Sequence, residues 1–448
     1  MAERFFYGFN NSQDVIHLQT KYALFERVAN ILFSTVVDEG FDRELMTKAI
    51  NLLFERNDCL RISFVKKNKK ILQFFEEKRS IGNIPFKVFD TQSKLDAFLR
   101  KFRVSQVSPF KGETLKVVFA VNPDGKDMII FKVSHFSADT YGIGVLVNDL
   151  FAVYKALRNG TEMPPAPGSF EEILRNDSSY RDNDEAVRRD EEFFRNYYEG
   201  KPNPVFCGIT GNRCDYWLRQ KRKGRFSIPY LFIRCDTTGY KLTIPALVNE
   251  KVSQWCEQQH ITMSSFYFYV FSIAASLVND KAPVLAPLML LDCRGTIADR
   301  KAAGTKVQSI SVYTTVDYGK SFNQNIAAAY ADQNQCFRHT KLSYLGIESM
   351  QHKEWEYPMT HQLISFCYSF IPFSSPEGVR FQIHSNGKGS LTTYVALMYN
   401  VQTGELDVMY DIQDKMASGA DVMEFNNLLV HVAETVLKAP DKNLENLF

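Results

Sequence analysis

The sequence predicts an α/β protein of the α+β kind, built from two lobes. The chain has 448 residues, more than one typical domain needs. Both halves mix strand-like runs with amphipathic helical patterns. The Pro/Gly-rich stretch TEMPPAPGSF, residues 161–170, precedes a charged helical segment and marks a change of lobe. We therefore expect an N-terminal lobe of residues 1–180 and a C-terminal lobe of residues 181–448.

The first regular elements lie in residues 41–75. The segment FDRELMTKAINLLFER has apolar residues at helical spacing from Leu45 to Leu53, which predicts an amphipathic helix. The runs LRISFV and ILQFF then alternate as strands on either side of KKNKK, a basic turn that we expect to be solvated.

A hairpin leads into the stretch that matters most for function. The strand-like runs LKVVFAV and DMIIFKV flank NPDGK, and its Asp-Gly pair favours a turn. The second run continues into KVSHFSADTYGIG, residues 132–144. A helix with an apolar stripe is predicted after Asp139 and ends at Asn159-Gly160. His135 is therefore expected in a short turn between a strand and a helix, where active sites often gather.

The second half continues the mixed pattern. The segment after the linker is charged and reads as helical over residues 170–200. Beyond it we expect strands at 225–238, 240–246, 282–295 and 306–318, a hairpin at 391–412, and helices at 247–261, 262–280, 321–337 and 419–439.

Composition excludes several classes of function. The formal net charge is only +2, so no strong field attracts nucleic acid. The eight cysteines are scattered and form no C-x-x-C pair, which indicates reduced thiols in an intracellular protein. The N-terminus lacks a signal-peptide apolar region, and no apolar run is long enough to span a bilayer. We expect a soluble, cytoplasmic protein with no membrane span.

His135 has two interpretations. It is either a structural histidine bonded to backbone, or a general base that deprotonates an amine or alcohol attacking a thioester, because its pKa lies near the working pH. Asp139, four residues on, is expected to fix the turn or to pair with an arginine. Arg294 in LLDCRGT is the candidate partner, since an arginine after a buried strand is costly unless paired. The alternative is that Arg294 leaves the strand into solvent.

Other chemistry has little support in the sequence. G-x-x-x-x-G-K-[ST], G-x-G-x-x-G, G-x-S-x-G and H-E-x-x-H are all absent. His352 and Glu356 could share a helical face, and we interpret them as a surface pair, with no metal site predicted. RQKRKGR, Arg219 to Arg225, is interpreted as a solvated loop. Its alternative is a docking surface for a phosphopantetheine group, a coenzyme A phosphate or an acidic carrier protein.

Taken in order, these segments resemble the condensation domains of nonribosomal peptide synthetases and the wider superfamily of HxxxD thioester-dependent acyltransferases. The resemblance runs from about residue 40 to about residue 440. LMTKAINLLFERNDCLRISF is similar to the family's N-terminal helix, and VSHFSADTYGIGVLVNDLFAVY to its HHxxxDGxS segment. The later matches are SYRDNDEAVRRDEEFFRNYYEG, CEQQHITMSSFYFYVFSIAASL, PVLAPLMLLDCRG and GTKVQSISVYTTV.

The resemblance implies two chloramphenicol-acetyltransferase-like lobes that form a pseudo-dimer, with a tunnel where thioester donor and acceptor meet. It implies that His135 is catalytic and that Asp139 and Arg294 hold the motif in place. The positions that it assigns to the tunnel or the substrate are Ser134, Thr140, Tyr141, Gly142 and Gln308. Three of these depart from the family pattern: Ser134 replaces the first histidine, Thr140 a glycine and Gln308 an asparagine. A side chain at position 140 is expected to narrow the tunnel.

Two functions follow as expectations. The first is an acyltransferase of secondary metabolism that moves an acyl group to a small-molecule amine or hydroxyl acceptor. Its donor is acyl-CoA or a phosphopantetheinyl thioester on an acyl carrier protein. That donor is expected to arrive in trans, because no adenylation or carrier domain is attached. No bound cofactor is expected, and a monomer is expected. The alternative is a non-catalytic condensation-like module that binds a carrier protein or partner enzyme.

Overall fold

A computed structural model describes residues 5–22, 26–211, 228–229, 236–363 and 365–448. The chain divides into two compact units. The first consists of Met1–Asn183, Asp292–Val307 and Ser374–Asn386, and the second of Asp184–Leu291, Gln308–Phe373 and Gly387–Phe448. The sequence prediction placed the two later segments of the first unit in the C-terminal lobe.

The helices and strands are numbered in chain order. The helices are α1 Asn11–Tyr22, α2 Arg43–Arg56, α3 Gln92–Phe102, α4 Thr140–Asn159, α5 Phe170–Arg181, α6 Asp184–Tyr198, α7 Ala246–Gln259, α8 Met263–Val278, α9 Ile297–Lys301, α10 Phe322–Phe337, α11 Tyr344–Glu354 and α12 Gly419–Lys438. The strands are β1 Asn30–Val37, β2 Ile62–Lys67, β3 Lys70–Phe75, β4 Phe86–Val88, β5 Leu115–Val121, β6 Asp127–Ser134, β7 Ile228–Pro229, β8 Thr237–Ile244, β9 Val284–Leu285, β10 Leu288–Asp292, β11 Val307–Ser311, β12 Thr314–Thr315, β13 His361–Gln362, β14 Cys367–Phe373, β15 Val379–His384, β16 Thr393–Asn400 and β17 Leu406–Gln413.

A five-stranded sheet in the order β15-β1-β6-β5-β4 organises the first unit. β5 and β6 form the predicted hairpin, and Gly125 takes the left-handed conformation in its turn, with φ 76°. β1 runs antiparallel to both β6 and β15, whereas β4 runs parallel to β5. β6 is therefore a central strand, and its buried apolar residues anchor the turn that follows it.

Helices α2 and α4 supply much of the apolar core of the first unit. Their buried residues recur at helical spacing, as the sequence predicted. An ion pair between Arg56 of α2 and Asp149 of α4, 2.8 Å, lies beside this contact. α4 begins with Asp139 as its N-cap and ends at Gly160, which has φ 63°. Both ends of the helix that carries the motif are thus fixed by its own sequence.

A six-stranded sheet in the order β11-β10-β14-β16-β17-β8 organises the second unit. β16 and β17 form the second predicted hairpin, and β10, β14 and β16 run parallel. α8, whose sequence is almost wholly apolar, is buried nearly all round, from Ser265 to Ser276. The unit therefore has a core of its own, rich in aromatic side chains.

Three elements of the second half differ from the prediction. The charged stretch forms two helices, α5 and α6, because α5 ends at Arg181 and α6 begins at Asp184. The strand expected at 282–295 is split into β9 and β10 ahead of Leu288, at a proline that cannot donate to a ladder. The strand expected at 306–318 is likewise split, into β11 and β12. The strand expected at 225–238 falls largely outside the described residues.

No single helix in the described part of the chain is long and apolar enough to cross a membrane. α7 and α8 reach that threshold only when they are taken together, and they are bent by 113° at the break between them.

Candidate active site

His135 lies in a short turn, residues Ser134–Asp139, which we call the His turn. β6 ends at Ser134, opposite Asn30 of β1, and α4 begins immediately after the turn. The backbone N–H of His135 donates to the carbonyl of Ala29 at 2.7 Å. Ser137 N–H also donates back to the Ser134 carbonyl at 2.9 Å. The backbone of the turn is therefore tied to the sheet at its start.

The imidazole of His135 is half-buried, and its two nitrogens differ in their surroundings. Nδ1 is buried and has no hydrogen-bond partner among the residues that the structure describes. Nε2 does not belong to the buried side-chain atoms that lack a partner. Burial lowers the pKa of His135 below its usual 6.5, and the nearby charge of Asp139 opposes that shift. The ring is therefore neutral at pH 7, and Nε2 is the nitrogen that is free to accept a proton.

Asp139 closes the other end of the turn and is almost fully buried. Its Oδ1 caps α4 by accepting from the Gly142 N–H at 2.7 Å. Its Oδ2 accepts from the Lys306 N–H at 2.8 Å. Arg294 donates to both oxygens, at 3.0 and 3.1 Å. Every acceptor direction of the carboxylate is therefore used in contacts within the protein, and its structural role stays a prediction.

Arg294 is a buried cation with a bidentate partner. Its side chain is 0% exposed, so the alternative that it leaves the strand into solvent is wrong. It also donates to Asp292 Oδ1 at 2.8 Å and to the Gly304 carbonyl. The ring of Tyr141 covers the guanidinium, with its centroid 4.6 Å from Cζ. The cost of burying this charge is therefore offset by pairing on several sides.

Three residues expected at the tunnel serve as packing in the structure. A Cβ at Gly142 would clash with the Ala303 carbonyl, so the glycine allows α4 to approach that backbone. The Tyr141 hydroxyl donates to the Arg300 carbonyl at 3.0 Å. Ser134 is fully buried, and its Oγ lacks a hydrogen-bond partner within the described ranges. Thr140 and Tyr141 are both half-buried. A role at the tunnel stays a prediction for all four residues.

Gln308 lies in the second unit. Its Nε2 donates to the Leu342 carbonyl of the same unit at 2.5 Å. Its Oε1 is buried without a partner in the part of the chain that the structure describes. A role toward substrate remains a prediction for this residue.

The pair of His352 and Glu356 is not on one helical face. α11 ends at Glu354, and Glu356 lies beyond it with φ 49°. His352 is buried and its Nδ1–H donates to the Tyr357 carbonyl at 3.0 Å, so the prediction of a surface pair is wrong. Among the described residues, no group of three or more His, Cys, Asp or Glu side chains is placed to hold a metal. Arg219 to Arg225 lie outside the described residues.

Two residues that the sequence did not single out also contact the His turn. The Thr305 hydroxyl donates to the His135 carbonyl at 2.5 Å. The Gln13 side-chain amide donates to the Phe136 carbonyl at 2.9 Å. Both are buried polar side chains whose partners are backbone groups far away in sequence, so neither periodicity nor motif spacing indicated them.

Comparison with known proteins gives the family. The family model of the condensation domain matches residues 21–447. Surfactin synthase subunit 1 of Bacillus subtilis (strain 168) is 19% identical over 461 residues, which cover 99% of this chain and 12% of that protein. Gramicidin S synthase 2 of Brevibacillus brevis is 20% identical over 497 residues, which cover 96% of this chain and 10% of that protein. The chain spans less than a fifth of these relatives, and it belongs to the condensation-domain family.

Solved structures show the same fold. The first condensation domain of the calcium-dependent antibiotic synthetase, in complex with a substrate analogue, aligns with TM-score 0.81 and 14% identity over 100% of both chains. The condensation domain of the monacolin K polyketide synthase MokA aligns with TM-score 0.81 and 10% identity, covering 98% and 99%. A variant of the starter condensation domain of rhizomide synthetase RzmA, in complex with C8-CoA, aligns with TM-score 0.80 and 16% identity, covering 99% and 97%. The predicted fold of two chloramphenicol-acetyltransferase-like lobes is therefore confirmed.

Proposed function

We propose that this chain is a condensation-type acyltransferase in which His135 is the catalytic residue. The observation that carries the proposal is the state of that side chain. Its backbone is fixed, its pKa is lowered by burial, and only its Nε2 is accessible. A neutral imidazole with one available nitrogen suits a general base. Membership of the condensation-domain family supports the same reaction class.

The reaction that we propose is acyl transfer from a thioester. Nε2 of His135 accepts a proton from an amine or hydroxyl as that group attacks the thioester carbonyl. The tetrahedral intermediate then collapses, the C–S bond breaks, and the proton passes to the departing thiolate. The products are an amide or ester and a free thiol, so atoms and charges balance. We propose that His135 also stabilises charge at the intermediate.

In this proposal, Asp139 and Arg294 hold the His turn in place. The bidentate pair joins the start of α4 to the segment that contains Arg294, and the Asp139 carboxylate has no free direction left for substrate. Their loss would move His135 indirectly, and a misplacement of about 1 Å can cost about 100-fold in rate.

The donor and acceptor follow from the reaction class. We propose acyl-CoA or a phosphopantetheinyl thioester on a carrier protein as donor, and a small-molecule amine or alcohol as acceptor. The RzmA starter domain was solved with C8-CoA, which makes octanoyl-CoA a reasonable first probe. Nonribosomal peptide synthesis is the setting that the relatives' names suggest, and we place the protein in the cytoplasm.

One observation favours the non-catalytic alternative, a module that binds a carrier protein or partner enzyme. Ser134 replaces the first histidine of the family motif and is fully buried, with no hydrogen-bond partner for its hydroxyl among the described residues. Thr140 adds a half-buried side chain where the motif has glycine. The altered motif is what a chain that has lost the reaction would show.

A thiol-release assay separates these functions. The donors are acyl-CoAs of several chain lengths and the same acyl groups on a phosphopantetheinylated carrier protein, each with a panel of amines, amino acids and alcohols. We expect His135→Asn to lower the rate by about 100-fold or more. His384→Asn is the matched control, because His384 is also half-buried in the first unit, and we expect its rate to stay within about threefold.

The outcomes are distinct. Full activity in His135→Asn would overturn the catalytic role. If the native protein releases no thiol from either donor class but binds the carrier protein, the non-catalytic module replaces the acyltransferase.

A further inference from the structure

The segment Ala303–Lys306 touches both ends of the His turn. At the far end, the Lys306 N–H donates to Asp139 Oδ2 at 2.8 Å. At the near end, the Thr305 hydroxyl donates to the carbonyl of His135 at 2.5 Å. Among the described residues of this segment, Thr305 is the only one whose side chain forms a hydrogen bond to the His turn.

Thr305 is itself held from the other side. It is fully buried, and its carbonyl accepts from the side-chain amide of Asn10 at 2.8 Å. Asn10 and Gln13 exchange hydrogen bonds between side chain and backbone, at 3.1 and 2.9 Å. The hydroxyl of Thr305 is therefore presented to His135 by a fixed backbone.

Gln13 extends the same network to the next residue of the turn. Its Nε2 donates to the Phe136 carbonyl at 2.9 Å and also contacts Gln73 Oε1 at 2.9 Å. Gln73 returns a bond to Gln13 Oε1 at 2.7 Å and donates to the Gly8 carbonyl at 2.7 Å. Two consecutive carbonyls of the turn thus accept from buried side chains that lie outside it.

The backbone of His135 sets the direction in which its side chain leaves the turn. Nδ1 makes no hydrogen bond to any residue that the structure describes, so no polar contact of the ring fixes its orientation. The N–H of His135 is bonded to Ala29 and its carbonyl to Thr305, which fixes the peptide planes on both sides of its Cα. The direction of the Cα–Cβ bond follows from those two planes.

We propose that Thr305 is a positioning residue of the acyl-transfer site, and that its hydroxyl sets the direction in which His135 presents Nε2. The inference rests on the proposed function of His135. Thr305 would fix the His135 end of the turn. Asp139 and Arg294 do not do this, because both act at the opposite end.

The hydrogen bond can be observed without any substrate. His135-Phe136 is the only His-Phe pair in the sequence. A perdeuterated sample with ¹³C-carbonyl histidine and ¹⁵N-phenylalanine therefore gives one amide signal that correlates the Phe136 nitrogen with the His135 carbonyl carbon. That carbon belongs to the acceptor of the Thr305 bond.

Three variants make the test specific. Thr305→Val removes the hydroxyl and keeps the shape, whereas Thr305→Ser keeps the hydroxyl. Thr114→Val is the control, because Thr114 is equally buried in the same unit and donates to the Leu60 carbonyl at 2.5 Å. We expect the His135 carbonyl carbon to shift upfield in Thr305→Val, and to stay in place in Thr305→Ser and Thr114→Val.

Kinetics with the donor found by thiol release give the second readout. We expect Thr305→Val to lower kcat by about 10-fold with little change in KM, because the base is misdirected while substrate still binds. Thr305→Ser should restore kcat. An unshifted carbonyl signal in Thr305→Val, or an equal shift and equal rate loss in Thr114→Val, would overturn the inference. If the signal shifts as expected but the native protein shows no acyl transfer, the positioning contact stands and the proposed function fails.

Discussion

The two ends of the His turn are built in opposite ways. At one end, Asp139 uses both carboxylate oxygens in bonds to Arg294, Gly142 and Lys306. At the other, His135 is fixed through its backbone, while Nδ1 has no partner among the described residues and Nε2 is accessible. Polar groups that are fully bonded hold structure, whereas an accessible nitrogen with no partner is available for chemistry. This contrast separates the residues that should matter most for stability from the one that should take part in the reaction itself.

The largest effect on stability is expected at the Asp139 end of the His turn, where both carboxylate oxygens are bonded. Arg294→Met leaves the Asp139 carboxylate buried without its cation, which should lower the free energy of unfolding by about 3–5 kcal/mol. The urea midpoint measures the change. Lys94→Ala, which breaks the exposed pair with Asp90, is the control and should leave the midpoint unchanged. Equal midpoints for Arg294→Met and native protein would contradict the structural role of the pair.

Two glycines of α4 test how closely the helix packs at the Asp139 end of the turn. Gly142→Ala should destabilise the protein by about 1–3 kcal/mol, because its new Cβ would meet the Ala303 carbonyl and α4 would have to move. Gly144→Ala, two residues on, has nothing within 4 Å of the new Cβ. It should stabilise the helix by about 0.5–1 kcal/mol. Thermal unfolding of the two variants should therefore shift in opposite directions, and the same shift in both would refute the close packing.

At the other end of the turn, His135 should make the activity depend on pH. Because the folded pKa of His135 lies below 6.5, Nε2 stays unprotonated in mildly acidic solution, and the acid limb of kcat/KM should fall below pH 6.5. An acid limb centred above pH 6.5 would contradict this assignment.

The buried histidines should make the protein less stable in mild acid. The stabilisation from a neutral buried histidine is complete above pH 6.5 and is lost as pH falls through the folded pKa, because the unfolded chain binds the proton first. His384 adds to this, since burial lowers its pKa to about 4. The urea midpoint should fall between pH 7 and pH 5, and by less in His384→Asn. A midpoint that rises toward pH 5 would reverse the assigned signs.

The smallest effect is expected at Ser134. Its buried hydroxyl has no hydrogen-bond partner within the described residues, so Ser134→Ala removes an unsatisfied group. We expect the free energy of unfolding to stay the same or rise by about 1 kcal/mol. A clear loss of stability, measured by urea unfolding, would mean that this hydroxyl has a partner after all.

The sequence predicted the motif better than its surroundings. The strand, turn and helix around His135 followed from local patterns, because periodicity and capping residues act over a few positions. The Asp139–Arg294 pair followed from a family resemblance and from the cost of a buried arginine. Thr305 and Gln13 could not be predicted in this way, since each contacts a backbone carbonyl more than a hundred residues away.

The strands at the sheet edge show the same limit. β15 joins the first unit from residues 379–384, and its pairing with β1 depends on the path of the whole chain. Most of its residues are half-buried or exposed, so its apolar pattern is weak. The close approach of Gly142 to the Ala303 carbonyl was likewise beyond prediction, because a glycine in a motif does not say which backbone approaches it.

The most direct test of the account measures rate and stability together in His135→Asn. Thiol release and the urea midpoint are recorded on the same preparation, with the donor and acceptor found in the panel. We expect the rate to fall by about 100-fold or more while the midpoint stays near that of the native protein. An unchanged rate, or a rate loss that simply follows a lower midpoint, would contradict the claim that His135 is the catalytic residue on a turn that Asp139 and Arg294 hold.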